Sequence, residues 1–275
     1  MTSSNSNRVP CALSIAGSDS GGGAGIQADL KAFARCGVHG MTAITAITVQ
    51  NTVEVRAVYP LPPQAIVEQV AVVAEDIGVD VVKIGMLGNV ETIEAVAEAL
   101  GHTGSAPVVI DPVMVAESGS RLLDEDAVDA LRELLVPRAT VVTPNVPEAR
   151  VLSGLGSDAS GEELARAVHA LGPANVVVTG GHREEVVDVF FDGQTVSELP
   201  GERYADGAAH GSGCTHSSAL AAHLALGFEP LEAARQAKTI ASEAVRSGLA
   251  GVGAGAGPVD VFGLTRASAA RAPLA

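Results

Sequence analysis

The segment His210-Gly211-Ser212-Gly213-Cys214-Thr215 is the part of the sequence best suited to chemistry, and it leads directly into an Ala-rich helical pattern. Successive glycines allow backbone N–H groups to converge on one point, and the start of a helix adds partial positive charge. The segment is therefore predicted to bind a phosphate through its backbone. The alternative is a plain loop whose glycines serve only helix entry.

Cys214 is predicted to lie on the first turn of this helix. Thiols at helix N-termini become more acidic, so Cys214 is a candidate general base or nucleophile. A lone cysteine at a helix start can equally be inert packing.

Two acidic residues follow apolar, strand-like runs. Asp111 opens the sequence DPVM, and Glu148 closes PNVPE. Carboxylates at neighbouring strand exits can hold Mg²⁺, in part through water. A magnesium–nucleotide complex would also reconcile a formal net charge of −15 with a polyanionic substrate. The alternative for each residue is a helix N-cap or a turn.

The segment GSDSGGGAG, residues 17–25, places a glycine run between a predicted strand and a predicted helix. Such a run lets backbone approach a small ligand closely. Asp29 follows on the early turns of that helix, away from its predicted core stripe. Asp29 is a candidate to bind an amino group of a ligand. The alternative is that Asp29 is a solvated acidic residue near a helix N-terminus.

Gln50 and Met86 are weaker candidates at the ends of two other apolar runs. The Gln50 amide is suited either to reading the edge of a heterocycle or to a turn. The Met86 thioether is suited either to packing on a flat ring or to the core.

Alternating apolar runs and helical periods predict the elements that must position these residues. Near-continuous apolar runs indicate strands buried on both faces, as in a parallel sheet covered by helices; they occupy residues 11–17, 41–49, 79–87, 107–114, 140–145 and 175–181. Only residues 185–200 suggest an antiparallel hairpin, with Asp192-Gly193 as its turn. The predicted fold class is α/β, a three-layer α/β/α sandwich with a mostly parallel central sheet, in which ligands bind at the carboxyl ends of the strands.

Composition excludes several classes of function. With 17 Lys and Arg against 32 Asp and Glu, and no basic patch, the chain is not expected to bind nucleic acid or a membrane surface. No run is long enough to span a membrane, and the first residues lack a secretory pattern, so a cytoplasmic location is expected. The fingerprints of P-loop, serine-hydrolase, zincin and Rossmann proteins are absent. A single domain over residues 10–264 is predicted, with tails at residues 1–9 and 265–275.

Six segments in order resemble the hydroxymethylpyrimidine/phosphomethylpyrimidine kinases of thiamine biosynthesis, in the ribokinase-like superfamily. They are AGSDSGGGAGIQADLKAF, ITVQNT, KIGML, DPVM, TPNVPEA and HGSGCT, and the resemblance covers about residues 11–262. It implies a ribokinase-like fold, ATP and Mg²⁺ as cofactors, and a homodimer. It also implies two reactions: phosphorylation of 4-amino-5-hydroxymethyl-2-methylpyrimidine, and then of its monophosphate to the diphosphate.

The resemblance also implies roles for individual residues. The pyrimidine pocket would be lined by Gly17, Asp29, Gln50 and Met86. An anion hole for the γ-phosphoryl group would be formed by Gly211, Ser212, Gly213 and Cys214, with Cys214 placed to accept the hydroxymethyl proton. Mg²⁺ would be organised by Asp111 and Glu148, and the ATP side would be lined by Asn145, Thr179 and Lys238.

The sequence departs from this family at two places. Thr179 stands where the family often has lysine, so a cation expected near the phosphates is missing. Residues 206–210 lack the usual Thr-rich approach, although Asp206 offers a further carboxylate. Two alternatives therefore remain open: a pyridoxal or pyridoxine kinase, and a non-catalytic sensor of a vitamin precursor or nucleotide.

Overall fold

The structure, a computed structural model, describes residues 8–180, 186–204 and 208–264. Of the positions considered above, Asp206 and nearly all of both predicted tails lie outside these residues. Arg8, within the predicted N-terminal tail, pairs with Asp80 at 3.1 Å and donates to the backbone oxygen of Ile77.

A nine-stranded sheet forms the centre of the structure, in the order β3-β2-β1-β4-β5-β6-β7-β8-β9. The strands are β1 (Cys11–Asp19), β2 (His39–Gln50), β3 (Val55–Pro60), β4 (Val81–Ile84), β5 (Val108–Ile110), β6 (Val141–Val142), β7 (Asn175–Val178), β8 (Val187–Phe191) and β9 (Val196–Pro200). The neighbours from β2 through β1, β4, β5 and β6 to β7 are parallel, whereas β3, β8 and β9 pair antiparallel.

Helices cover both faces of the sheet. They are α1 (Gly25–Arg35), α2 (Pro63–Asp76), α3 (Val90–Ala99), α4 (Ala127–Ala130), α5 (Val146–Ser153), α6 (Gly161–His169), α7 (Ser212–Ala225) and α8 (Pro230–Arg246). Helix α4 continues into a π-helical turn at Leu131–Leu135 and a 3-10 turn at Val136–Arg138.

Alternating strand residues divide the core into two layers. Leu13 and Ile15 of β1 pack with α2 to α6, while Ala12, on the opposite face, packs with α1, α7 and α8. Helix α7 contributes alanines to the second layer, and these small side chains let it lie close to the sheet. The predicted three-layer α/β sandwich is confirmed.

The predicted hairpin is also confirmed, as β8 and β9. The Asp192 carboxylate accepts from the backbone of Gln194 and Thr195, and Gly193 has the positive φ that such a turn needs. Strand β3 was not predicted. Its sequence, VRAVYP, is mostly exposed and pairs only with β2, so it lacks the apolar run by which the other strands were recognised.

Across the described ranges, no helix combines the length and apolar character needed to cross a membrane.

Candidate active site

A cavity of about 400 Å³ opens at the carboxyl ends of the parallel strands. The strand order reverses between β1 and β4, which is where ligands bind in open α/β sheets. Its walls come from the segments that follow β1, β4, β5, β6 and β7 and from the first turn of α7. We call this cavity the cleft. Of the thirteen site residues predicted from the sequence, twelve line it and Asp29 does not.

The predicted anion cradle, residues 211–214, consists of the N-cap residue and the first turn of α7. Gly211 caps the helix in the left-handed conformation, at φ 82°, and the Gly23 carbonyl occupies the space that a side chain would need. The Ser212 N–H donates to Ala209. Among the described residues, the backbone N–H groups of Gly213 and Cys214 find no acceptor in the protein, so two helix N-terminal donors are available to an anion.

Cys214 lies on the first turn of α7, as predicted, but its thiol is not acidic. Burial raises its pKa to about 12; the Lys83 ammonium opposes this, while the carboxylates of Asp111 and Asp29 add to it. The expectation of a more acidic thiol is therefore wrong, because desolvation outweighs the helix terminus. At neutral pH Cys214 is therefore a neutral thiol.

Asp19, at the end of β1, organises the glycine run. Its carboxylate accepts from the backbone N–H groups of Gly21, Gly23 and Ala24, at 2.7 to 3.0 Å, and lies 3.1 Å from Nε2 of His210. His210 directly precedes the cradle. One buried carboxylate therefore joins the glycine run to the anion cradle.

Substituting Asp19 by asparagine is expected to destabilise the fold at neutral pH. Burial alone would raise the pKa of Asp19, but the hydrogen bonds from His210 and the backbone outweigh it and the pKa is lowered. A lowered folded-state pKa contributes stability above the unfolded value of about 3.9, and that stability is lost as the pH falls through the folded value. We expect Asp19→Asn to cost about 1 to 3 kcal/mol at neutral pH. The difference from wild type should shrink below about pH 4, measured by urea unfolding across pH; a difference independent of pH would contradict the role of the charge.

Asp29 lies behind the cleft wall. Its carboxylate is fully buried and accepts from Ser14 at 2.6 Å, Ser218 at 2.7 Å and Lys83 at 2.9 Å. The prediction that Asp29 lines the pyrimidine pocket is therefore not met. The turn of α1 that carries Asp29 packs on the sheet, so the residue anchors the wall.

Lys83 was not predicted as a site residue. It is fully buried on β4, is paired with Asp29 and reaches the floor of the cleft. Burial alone would lower the pKa of Lys83, but Asp29, Cys214 and Asp111 together outweigh burial and raise it. The signal was present in the sequence, because a lysine between Val82 and Ile84 in a strand apolar on both faces must find a buried anion.

Gly17, Met86 and Gln50 line one end of the cleft. A side-chain carbon on Gly17 would lie 3.3 Å from both Sδ and Cε of Met86, so glycine leaves the room that Met86 fills. The Thr45 hydroxyl donates to the Met86 backbone oxygen at 2.9 Å and fixes this segment. An apolar thioether beside an amide is suited to a flat heterocycle.

Asp111 and Glu148 are both buried beside the cradle. Burial and the neighbouring Asp111 charge raise the pKa of Glu148 to about 8, and burial also raises the pKa of Asp111 although Lys83 opposes it. Glu148 and Asn145 also form a capping box at the start of α5, so the alternative of helix capping holds for Glu148 as well. The Asp111 charge disfavours the charged form of Glu148, and a cation shared by the two carboxylates would relieve that repulsion.

Lys238 and Thr179 line the other end of the cleft. Lys238 Nζ lies 2.7 Å from Asp188 Oδ1, and the same oxygen accepts from the backbone of Gly180 at 2.9 Å. Asp188, a polar residue inside the apolar strand β8, was not predicted as a site residue.

A protein-family model described as phosphomethylpyrimidine kinase matches residues 19–260. The chain is 43% identical over 262 residues to the hydroxymethylpyrimidine/phosphomethylpyrimidine kinase of Bacillus subtilis. The matched region covers 94% of this chain and 96% of that protein.

Two solved structures are similar over most of their length. The ADP complex of Bacillus subtilis pyridoxal kinase has a TM-score of 0.85 at 41% identity, covering 94% of this chain and 99% of that one. The phosphomethylpyrimidine kinase of Clostridium difficile has a TM-score of 0.76 at 40% identity, covering 86% and 99%. The resemblance seen in the sequence is confirmed: the chain belongs to the phosphomethylpyrimidine kinase family and has its ribokinase-like fold.

Proposed function

We propose that this protein transfers the γ-phosphoryl group of ATP to the hydroxymethyl group of 4-amino-5-hydroxymethyl-2-methylpyrimidine, and then phosphorylates the monophosphate to the diphosphate. The observation that carries the proposal is the cradle. The N–H groups of Gly213 and Cys214 lack acceptors among the described residues and line the same cleft as Gln50 and Met86. A phosphoryl donor and a flat ring that carries the accepting alcohol therefore both have sites in one cavity.

Phosphoryl transfer spreads charge over the equatorial oxygens, so catalysis requires alignment and electrostatic stabilisation. The two free cradle N–H groups supply donors for those oxygens without reorganisation. Gln50 and Met86 would hold the pyrimidine ring. Cys214 would act as the thiolate: after its thiol proton has left to solvent, its sulfur would accept the proton that leaves the hydroxymethyl oxygen. Asn145, Thr179 and Lys238 would lie along the nucleotide.

Asp111 and Glu148 would hold Mg²⁺. In the described ranges no group of three or more His, Cys, Asp or Glu side chains is arranged to hold a metal ion, so these two carboxylates would act with water and substrate phosphates. A divalent cation between Asp111 and Glu148 would offset the charge repulsion described above. When bound, Mg²⁺ would neutralise phosphate charge.

An assay of ADP release tests the proposal directly. With ATP, Mg²⁺ and the aminopyrimidine, we expect ADP to form in proportion to the pyrimidine added, in two successive equivalents. A parallel reaction with pyridoxal tests the alternative that the similarity to pyridoxal kinase favours, and faster turnover of pyridoxal would select it. Binding without ADP release would indicate a sensor.

We also propose a homodimer, as the family resemblance implies. On the β2–β3 ribbon, Ile47 and Tyr59 are cross-strand neighbours and are 50% and 61% exposed. Paired apolar side chains at a sheet edge suit a second copy of the chain. We expect light scattering to give twice the chain mass for wild type and the single chain mass for Tyr59→Glu. A wild-type monomer, or a variant that stays dimeric, would contradict this interface; Arg56→Glu, on the same strand, is the control for added charge.

A further inference from the structure

His216 is a buried side chain without a hydrogen-bond partner. Helix α7 places it two residues beyond Cys214, where it lines the cleft with 5% of its surface exposed. Among the described residues neither ring nitrogen has a partner. The nearest carboxylate oxygen, Oδ2 of Asp188, lies 3.7 Å from Nε2, which is too long for a hydrogen bond.

An unpaired polar group in a buried position costs about 1 to 3 kcal/mol, so native proteins seldom leave one without a function. The imidazole also faces a cleft with room for a ligand. The missing partner is therefore expected to be a ligand atom.

The position of His216 indicates which part of the ligand it meets. Val178 pairs with Val189 in the β7–β8 ladder, so Thr179 and Asp188 follow as neighbours across the two strands. His216 beside Asp188 therefore lies near Thr179, which carries no charge. Lys238, a cation that lines the same cleft, is already held by Asp188 at 2.7 Å.

Burial favours the neutral form of His216 in the free protein. Burial lowers its pKa, Asp188 on β8 opposes that change, and Lys238 on α8 adds to it. Three further titratable residues, Glu202, Arg203 and Tyr204, line the same cleft after β9. A polyphosphate beside the ring would add negative charge and favour the imidazolium form.

We propose that His216 is a nucleotide-binding residue that takes up one proton from solvent as the polyphosphate of ATP enters the cleft. The proton goes to the ring nitrogen that carries the lone pair, and the imidazolium then donates to phosphate oxygens near Thr179. This role rests on the proposed kinase function for its nucleotide, and it supplies a positive charge in the region where Thr179 has none.

Isothermal titration calorimetry with MgADP tests the proposal, because proton uptake makes the binding enthalpy depend on the ionisation enthalpy of the buffer. The titration is run in two buffers of different ionisation enthalpy, at about one pH unit above the ordinary histidine pKa of about 6.5. We expect the difference between the two binding enthalpies to show net proton uptake by wild type. His216→Asn should lose that uptake and bind MgADP about tenfold more weakly, the loss typical of one charge-assisted hydrogen bond. His216→Gln provides a second variant, and thermal unfolding verifies that each variant is folded.

His39→Asn is the matched control, because His39 is exposed at the opposite end of β2 from the cleft. It should keep both the proton uptake and the affinity of wild type. Equal proton uptake in wild type and both His216 variants, no uptake in wild type, or no binding of MgADP would overturn the proposal. The titration contains no pyrimidine, so failure of pyrimidine-dependent ADP release with normal proton uptake would count against the proposed substrate only.

Discussion

Replacing Cys214 by alanine is expected to lower kcat by about two to four orders of magnitude, the range typical of general-base catalysis. The affinity for the pyrimidine should change little, because the proposed ring contacts come from Gln50 and Met86. The cradle N–H of residue 214 belongs to the backbone and survives the substitution, so the variant isolates the thiol. Steady-state kinetics with each substrate varied in turn measure the two effects separately.

The role of Cys214 also predicts how kcat changes with pH. Because burial holds the pKa of the Cys214 thiol at about 12, the thiolate fraction rises with pH throughout the neutral and mildly alkaline range. If the thiolate accepts the substrate proton, kcat of wild type should rise with pH in that range, and Cys214→Ala should lose the rise. Cys214→Ser, which keeps a small polar atom, is the matched variant. Unchanged turnover in Cys214→Ala would remove the catalytic role.

Replacing Lys83 by methionine is expected to cost about 3 to 5 kcal/mol of unfolding free energy, because Asp29 would remain as a buried charge without its partner. For a chain of this size the loss corresponds to a fall in Tm of about 10 °C. The Ser14 and Ser218 hydroxyls would still donate to Asp29, but neither carries a compensating charge. Chemical unfolding and calorimetry measure the loss.

A double variant separates the pair from its surroundings. Lys83→Met with Asp29→Asn removes both charges, and we expect it to recover a substantial part of the lost stability. Arg121→Ala breaks the exposed pair with Glu125, at 3.0 Å, and should cost no more than about 1 kcal/mol. Equal losses for Lys83→Met and Arg121→Ala, or a double variant no more stable than Lys83→Met, would contradict the buried pair.

Sequence patterns predicted the parallel part of the sheet because its strands are apolar on both faces. They failed at β3, whose side chains are mostly exposed on the sheet edge and carry no such run. The apolar spacing over residues 124–135 is typical of one continuous helix, whereas the structure has a short α4 that passes into a π-helical turn at Leu131. Backbone hydrogen-bond patterns of that kind leave no mark in apolar periodicity.

Some features of the site could likewise be predicted from the sequence and others could not. Cradle residues were predictable because glycine spacing and a helix start are local features. The positions of Asp29 and Lys83 were not, since their pairing joins α1 to β4 across 54 residues of sequence. His216 has no sequence signal beyond its nearness to the cradle, because the absence of a partner is a property of the folded chain. The Cys214 thiol was mistaken for an acidic one because helix position is visible in sequence and desolvation is not.

A crystal structure of the enzyme with MgADP, aluminium fluoride and the aminopyrimidine would test the cradle most directly. The planar fluoride complex mimics the phosphoryl group in transit. We predict that it lies between ADP and the hydroxymethyl oxygen, with fluorines about 2.7 to 3.1 Å from the backbone nitrogens of Gly213 and Cys214. A complex bound elsewhere, with those N–H groups turned to other acceptors, would contradict the assignment.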